Sequence, residues 1–120
     1  MTTEIFLDVA CENTPVVVFA VQNDGDRVIA VTLLKNGTPY TPSGSPSAEY
    51  KIKRADGTGC SGNATLTIGS KYTTVTFALP PAALTVAGIA RAEVKLKTSG
   101  NYLTTEPFFI NVRESAGTVT

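Results

Sequence analysis

The sequence predicts an all-β fold, an antiparallel β-sandwich of about seven to eight strands with one short helical turn. Three observations carry this. Apolar residues recur with a period of two rather than 3.6. Clusters of Gly, Asn, Asp, Ser and Pro interrupt the alternation at short intervals. Only one stretch, "PPAALTVAG", has helical character.

Taken in order, "EIFLDVAC" and "VVVFAVQ" read as strands split by Glu12-Asn13-Thr14-Pro15. In "RVIAVTLLK", Ile29, Val31 and Leu33 share one face while Ala30 and Thr32 take the other. "EYKIKR" sets Tyr50 and Ile52 inward against Lys51 and Lys53. "YTTVTFAL" groups Val75, Phe77 and Leu79. "ARAEVKLKT" points Ala92, Val94 and Leu96 inward, with Arg91, Glu93, Lys95 and Lys97 to water. "PFFINV" gives Phe108, Ile110 and Val112 one face, with Pro107 marking a strand start or an edge bulge. Turns fall at Asn23-Asp24-Gly25-Asp26, Asn36-Gly37, Asp56-Gly57 and Ser99-Gly100-Asn101. "TPSGSPS" is too short and too internal for a domain linker. In the helical turn, proline suits the first positions and Gly88 the residue just past the end. Cys60 falls in a glycine-rich connection, and the next strand is expected from Asn63 to Ile68.

At 120 residues the chain makes one domain with a self-sufficient core, expected over residues 1–115 with 116–120 as a flexible exit. The sandwich is of immunoglobulin-like type, although there is no tryptophan and the cysteines are not placed for the inter-sheet bridge of antibody domains. Ten acidic and ten basic residues cancel, which argues against nucleic acid or an anionic membrane as partner. No apolar run reaches the length of a membrane span, and Met1-Thr2-Thr3-Glu4 does not start a signal peptide, so use without secretion is expected. The spacing of Cys11 and Cys60 leaves open both a disulfide and two independent thiols.

Chemistry finds little footing. Without histidine, Ser-His and Cys-His nucleophile pairs and most zinc sites drop out. "DGTGCSG" lacks the Lys-Ser/Thr of a phosphate loop, so Cys60 reads as an ordinary residue rather than a nucleophile. Asp24 and Asp26 suggest a shared ion, but Leu34 and Lys35 stand where an EF-hand loop needs its glutamate, and a polar hairpin turn is the simpler account. No catalytic residue, metal ligand or cofactor site is therefore expected, and the chain is expected not to be an enzyme. The glycosylation-like Asn36-Gly37-Thr38 and Asn63-Ala64-Thr65 read as chance matches without a signal peptide. The candidate partner-binding residues are Tyr40, Tyr72 and Tyr102, each beside a turn, and Lys51, Lys53, Lys95 and Lys97 on outward faces. Their plainer roles are capping the sandwich and keeping it soluble.

The order of these marks resembles the N-terminal domain of the baseplate upper protein family of tailed bacteriophages. Gly25-Asp26 precedes the alternating strand Ile29, Val31, Leu33; Asn36-Gly37 and Pro39 follow; the next strand ends at Asp56-Gly57. Leu84, Gly88, Glu93 to Leu96, and Thr105-Glu106-Pro107-Phe108 complete the pattern, over roughly residues 16–115. The resemblance implies an immunoglobulin-like virion module made in the host bacterial cytoplasm, one that anchors receptor-binding or fibre machinery for host attachment. It implies homotrimeric assemblies contacting other phage structural proteins, with related domains at the bases of head fibres. Members of the family continue into a long helical segment, whereas this sequence stops at Thr120, which is expected of a fragment or of a short stand-alone version. The alternative from the residues alone is a carbohydrate- or receptor-binding sandwich gripping through Tyr40, Tyr72 or Tyr102.

Overall fold

The computed structural model describes residues 2–10, 16–22, 25, 27–42, 46–98 and 101–114. Cys11, Asn23, Asp24, Asp26, residues 43–45, Ser99-Gly100 and the expected exit at 116–120 lie outside the described residues. Among the described residues ten strands form: β1 (Thr2–Asp8), β2 (Val17–Val21), β3 (Val28–Lys35), β4 (Thr38–Pro39), β5 (Ser47–Lys53), β6 (Gly59–Ile68), β7 (Thr73–Ala78), β8 (Gly88–Thr98), β9 (Asn101–Thr104) and β10 (Phe108–Arg113). A 3-10 turn at Pro81–Leu84 joins β7 to β8 and buries Ala83 and Leu84.

Eight strands lie on one path, β1-β3-β7-β6-β5-β8-β10-β2, with the short β4 and β9 attached to β3 and β8. The path bends at β6, whose first half, Gly59–Ala64, pairs with β5 and whose second half, Thr65–Ile68, pairs with β7. Two sheets result, nearly closed into a barrel. One holds β1, β3, β4, β7 and the end of β6; the other holds the start of β6, β5, β8, β9, β10 and β2. The interior is antiparallel as alternation predicts, but both edges are parallel: β1 runs with β3 and β2 with β10. Parallel neighbours require a crossover between them. Consecutive strands β1 and β2 sit in different sheets, so neither can form a hairpin with the other.

The alternating residues build the core. Ile29, Val31 and Leu33 of β3, with Val75 and Phe77 of the neighbouring β7, line one side of the interior, and Ile52 of β5, Val94 and Leu96 of β8, and Phe108, Ile110 and Val112 of β10 line the other, all at 4 % exposure or less. The Tyr50 ring stacks on Phe77, with centroids 4.4 Å apart and planes 14° apart. It also lies over Gly62, where a Cβ would sit 2.6 Å from the phenolic oxygen.

Turn chemistry falls where expected at two hairpins. Asn36 (φ 52°) and Gly37 (φ 82°) are the two central residues between Lys35 and Thr38, both with the positive φ of a type I′ turn. In the β5–β6 hairpin, Gly57 N–H donates to the Arg54 carbonyl and Gly57 takes φ 90°, a type I turn followed by a glycine bulge. Two expectations fail. Strand β6 begins at Gly59 rather than Asn63, because Gly59, Cys60 and Ser61 continue the ladder with Lys53, Ile52 and Lys51; Cys60 is thus a half-buried strand residue packed on the core, not a loop residue. Gly88 does not cap the helical turn, which stops at Leu84; it opens β8 with φ 124°, where a Cβ would come within 2.8 Å of Ala55 Cβ.

The open side of the sandwich, between edge strands β1 and β2, is tied across by polar groups. The Asp8 N–H donates to Glu106 Oε2 at 2.8 Å, and the Glu106 N–H donates to the Asp8 carbonyl at 3.1 Å. The Asp8 carboxylate, itself 1 % exposed, accepts from the N–H groups of Ala10, Asn36 and Gly37 at 2.7, 3.1 and 2.9 Å. One acid therefore fixes β1, the β3–β4 turn and the approach to β10. Across the same open side, Arg27 Nη1 donates to the Phe19 carbonyl of β2 at 3.2 Å.

Candidate functional site

Strand register brings most of the candidate residues onto one surface, the outer face of the β6-β5-β8-β9-β10-β2 sheet. Side chains directly opposite on paired strands project from the same face. Lys51 stands opposite Ser61 and Glu93, Lys53 opposite Gly59 and Arg91, and Glu49 opposite Asn63 and Lys95. Lys97 lies opposite Ser47 and Tyr102, and Lys95 opposite Thr104. The ammonium groups of Lys95 and Lys97 both sit over the Tyr102 ring, at 5.9 and 5.6 Å from its centroid. That is cation–π range, so the exposed ring holds two cations in place. Lys95 also reaches Glu93 at 4.0 Å. Between the rows runs an open groove of about 510 Å³ lined by Lys51, Lys53, Arg91, Glu93 and Ser61.

Continuing along the same face, the chemistry changes. Arg91 is followed by Phe109 and Val17, and Ile89 by Asn111 and Phe19. Phe19 is 68 % exposed, Ile89 53 % and Val17 45 %. Phe109 is half-buried beside them. Arg113 closes this corner opposite Val21. The face thus has a cationic half and an apolar corner. Six of the chain's ten basic residues, Lys51, Lys53, Arg91, Lys95, Lys97 and Arg113, occupy its outward positions, against two acids, Glu49 and Glu93. The other sheet presents Thr2, Glu4 and Phe6 of β1, Val28, Ala30, Thr32 and Leu34 of β3, Thr74, Thr76 and Ala78 of β7, and Thr65 and Thr67 of β6. Glu4 is the one ionisable group at those positions. A neutral chain has therefore sorted its charge by sheet.

Two candidates are not part of this surface. Tyr72 sits on the β6–β7 hairpin, where the Gly69 N–H donates to its carbonyl and Lys71 lies 5.5 Å from its ring. Tyr40, expected exposed, packs against the core just past β4, held by its N–H to the Leu33 carbonyl. Of the turn residues, Gly25 is described only as an exposed position with open space around it. Asp56 organises its own hairpin: its carboxylate accepts from the Thr58 hydroxyl at 2.5 Å and the Thr58 N–H at 2.9 Å, and these bonds hold it below its ordinary pKa of 3.8. Among the described residues, no group of three His, Cys, Asp or Glu side chains is gathered that could hold a metal. No helix among them is long and apolar enough to cross a membrane.

The apolar corner was not singled out by alternation, yet the sequence carried a signal for it. "VVVFAV" and "FF" are apolar at both parities, so a strand burying one face must expose the other.

A family model described as the BppU N-terminal domain matches residues 1–120, the whole chain. The chain belongs to this family. BppU is the baseplate upper protein, so the domain is one of phage baseplate proteins, a virion component that meets other phage structural proteins. That setting is a structural one. Among solved structures, the fold is similar to the N-terminal domain of phage TP901-1 ORF48, with a TM-score of 0.69 and 17 % identity, over 94 % of this chain and 99 % of that one. No curated protein matches the chain.

Proposed function

We propose that this BppU N-terminal domain is an anchoring module of the virion, attaching receptor-binding or fibre machinery through protein–protein contacts and working within a homotrimeric assembly. Residues 1–115 act as one unit in this reading, and docking uses the outer face that carries Lys51, Lys53, Arg91, Lys95, Lys97 and Tyr102. The single observation that carries it is the family match over the whole chain. The sorting of charge onto one sheet supports it, because a surface with a distinct charge and an exposed apolar corner suits one specific neighbour. A glycan-binding reading has less to stand on: Tyr40, Tyr72 and Tyr102 lie on separate elements, and Tyr40 packs on the core. Electron microscopy of virions decorated with an antibody to this chain tests the proposal. Label at the baseplate is expected; particles without label at any tail or fibre-base position would refute it.

A further inference from the structure

We propose that the apolar corner formed by Val17, Phe19, Ile89 and Phe109, with Arg91 and Arg113 beside it, docks a different protein whose surface presents apolar side chains bordered by carboxylates. This rests on the anchoring role proposed above and deepens it by naming the partner's chemistry. Single exposed apolar side chains are ordinary on any protein. Here Phe109, Val17 and Phe19 adjoin on β10 and β2, and Ile89 of β8 lies across Asn111 from Phe19, which groups four apolar side chains on three neighbouring strands in the manner of an interaction site.

Charge decides what covers it. The outward positions of β10 and β2 hold no acid, while Lys53 and Arg91 continue the Phe109–Val17 row and Arg113 stands opposite Val21, one row beyond Ile89–Asn111–Phe19. A second copy docked corner to corner about a two-fold axis would set these cations against their own counterparts. The second copy's opposite face offers only Glu4 at its outward positions. Of the remaining described acids, Asp8 and Glu106 are buried, Asp56 is engaged by Thr58, Glu49 and Glu93 stand opposite Lys95 and Lys51, and Glu114 is a single exposed carboxylate directly after Arg113. Among the described residues, Glu4 and Glu114 are too few to match Lys53, Arg91 and Arg113, so the complementary carboxylates are assigned to another chain.

The partner lies on the face rather than adding a strand to the edge. Val16 and Gln22 bond β10 through their main chains, so the Phe19 carbonyl points to the open edge, where Arg27 occupies it. On the facing edge, both main-chain groups of Asp8 are taken by Glu106.

The test uses tail particles assembled without this chain, to which the purified full chain is added and its binding measured over a salt series. Wild type is expected to bind more weakly as salt rises. The Phe19→Ser/Ile89→Ser pair is expected to lose about 30-fold or more in affinity, as for a buried interface anchor. Arg91→Glu/Arg113→Glu, which leaves the apolar residues in place, is expected to lose about tenfold at low salt and less at high salt. Thr74→Lys/Thr76→Lys on the opposite sheet should bind as wild type does. Circular dichroism on each variant separates loss of fold from loss of contact, and the arginine pair decides the matter if the apolar pair misfolds. Wild-type binding by both sheet-face pairs overturns this inference and leaves the anchoring role standing. A wild-type chain that binds no particle removes both. Sedimentation showing self-association that Phe19→Ser abolishes overturns the inference by making a second copy the occupant.

Discussion

Replacing Asp8 by alanine removes the acceptor for three main-chain donors at once. Those of Ala10, Asn36 and Gly37 lie 2.7–3.1 Å from its carboxylate. A typical hydrogen bond contributes about 1 kcal/mol net, and one to a charged group about 1.5–3 kcal/mol. The three bonds are part-buried, so the lower figure applies and the loss is about 3 kcal/mol. Against a whole-domain stability of about 5–15 kcal/mol, that is a large fraction. It corresponds to a fall in melting temperature of roughly 12 °C for a chain of this size. Urea unfolding followed by circular dichroism at neutral pH measures it, with an unchanged slope confirming that the native state alone is affected. Asp8→Asn, which keeps one carbonyl acceptor, should recover about 1 kcal/mol. An Asp8→Ala variant within about 0.5 kcal/mol of wild type would refute the reasoning, since a surface substitution does no more.

Other expectations follow from single contacts. Gly62→Ala drives a Cβ into the Tyr50 ring, which is backed by Phe77 and has little room to retreat, so a loss of about 1–3 kcal/mol is expected in the same urea assay. The Thr73 hydroxyl is fully buried with no hydrogen-bond partner among the described residues; Thr73→Val keeps the shape and should raise stability by about 1 kcal/mol, seen as a higher melting temperature. Burial first, and Cys60 second, push the Tyr50 phenol above its ordinary 10.0. The unfolded chain therefore loses its proton first, and stability that is intact below pH 10.0 falls as pH rises through that value towards the folded pKa. Urea midpoints measured across that range should fall less steeply for Tyr50→Phe; an identical slope in both proteins would count against the burial argument.

The period-two runs determined the class, the inward residues and the two main hairpins, because side-chain parity in a strand and positive φ at Asn-Gly or Asp-Gly are local properties. Ile29, Val31, Leu33, Tyr50, Ile52, Val94 and Ile110 could be placed inward from the text of the chain alone, and the structure buries each of them. Lys51, Lys53, Lys95 and Lys97 could likewise be placed outward, but not beside one another. The meeting of Lys95 and Lys97 with Tyr102 depends on β8 pairing with β9, and the place of Lys51 and Lys53 beside that row on β5 pairing with β8, and register between strands is a long-range matter. For the same reason the parallel edges, the bend at β6 and the tie between Asp8 and Glu106, 98 residues apart, left no local trace. Cys60 shows the limit most simply. Glycines on either side made it look like part of a loop, and only the ladder with Ile52 made it a strand residue. The sequence by itself determined which side chains face in and where the chain turns. Tertiary structure decided which outward side chains become neighbours, because that depends on how distant strands pair, and the docking face exists only at that level.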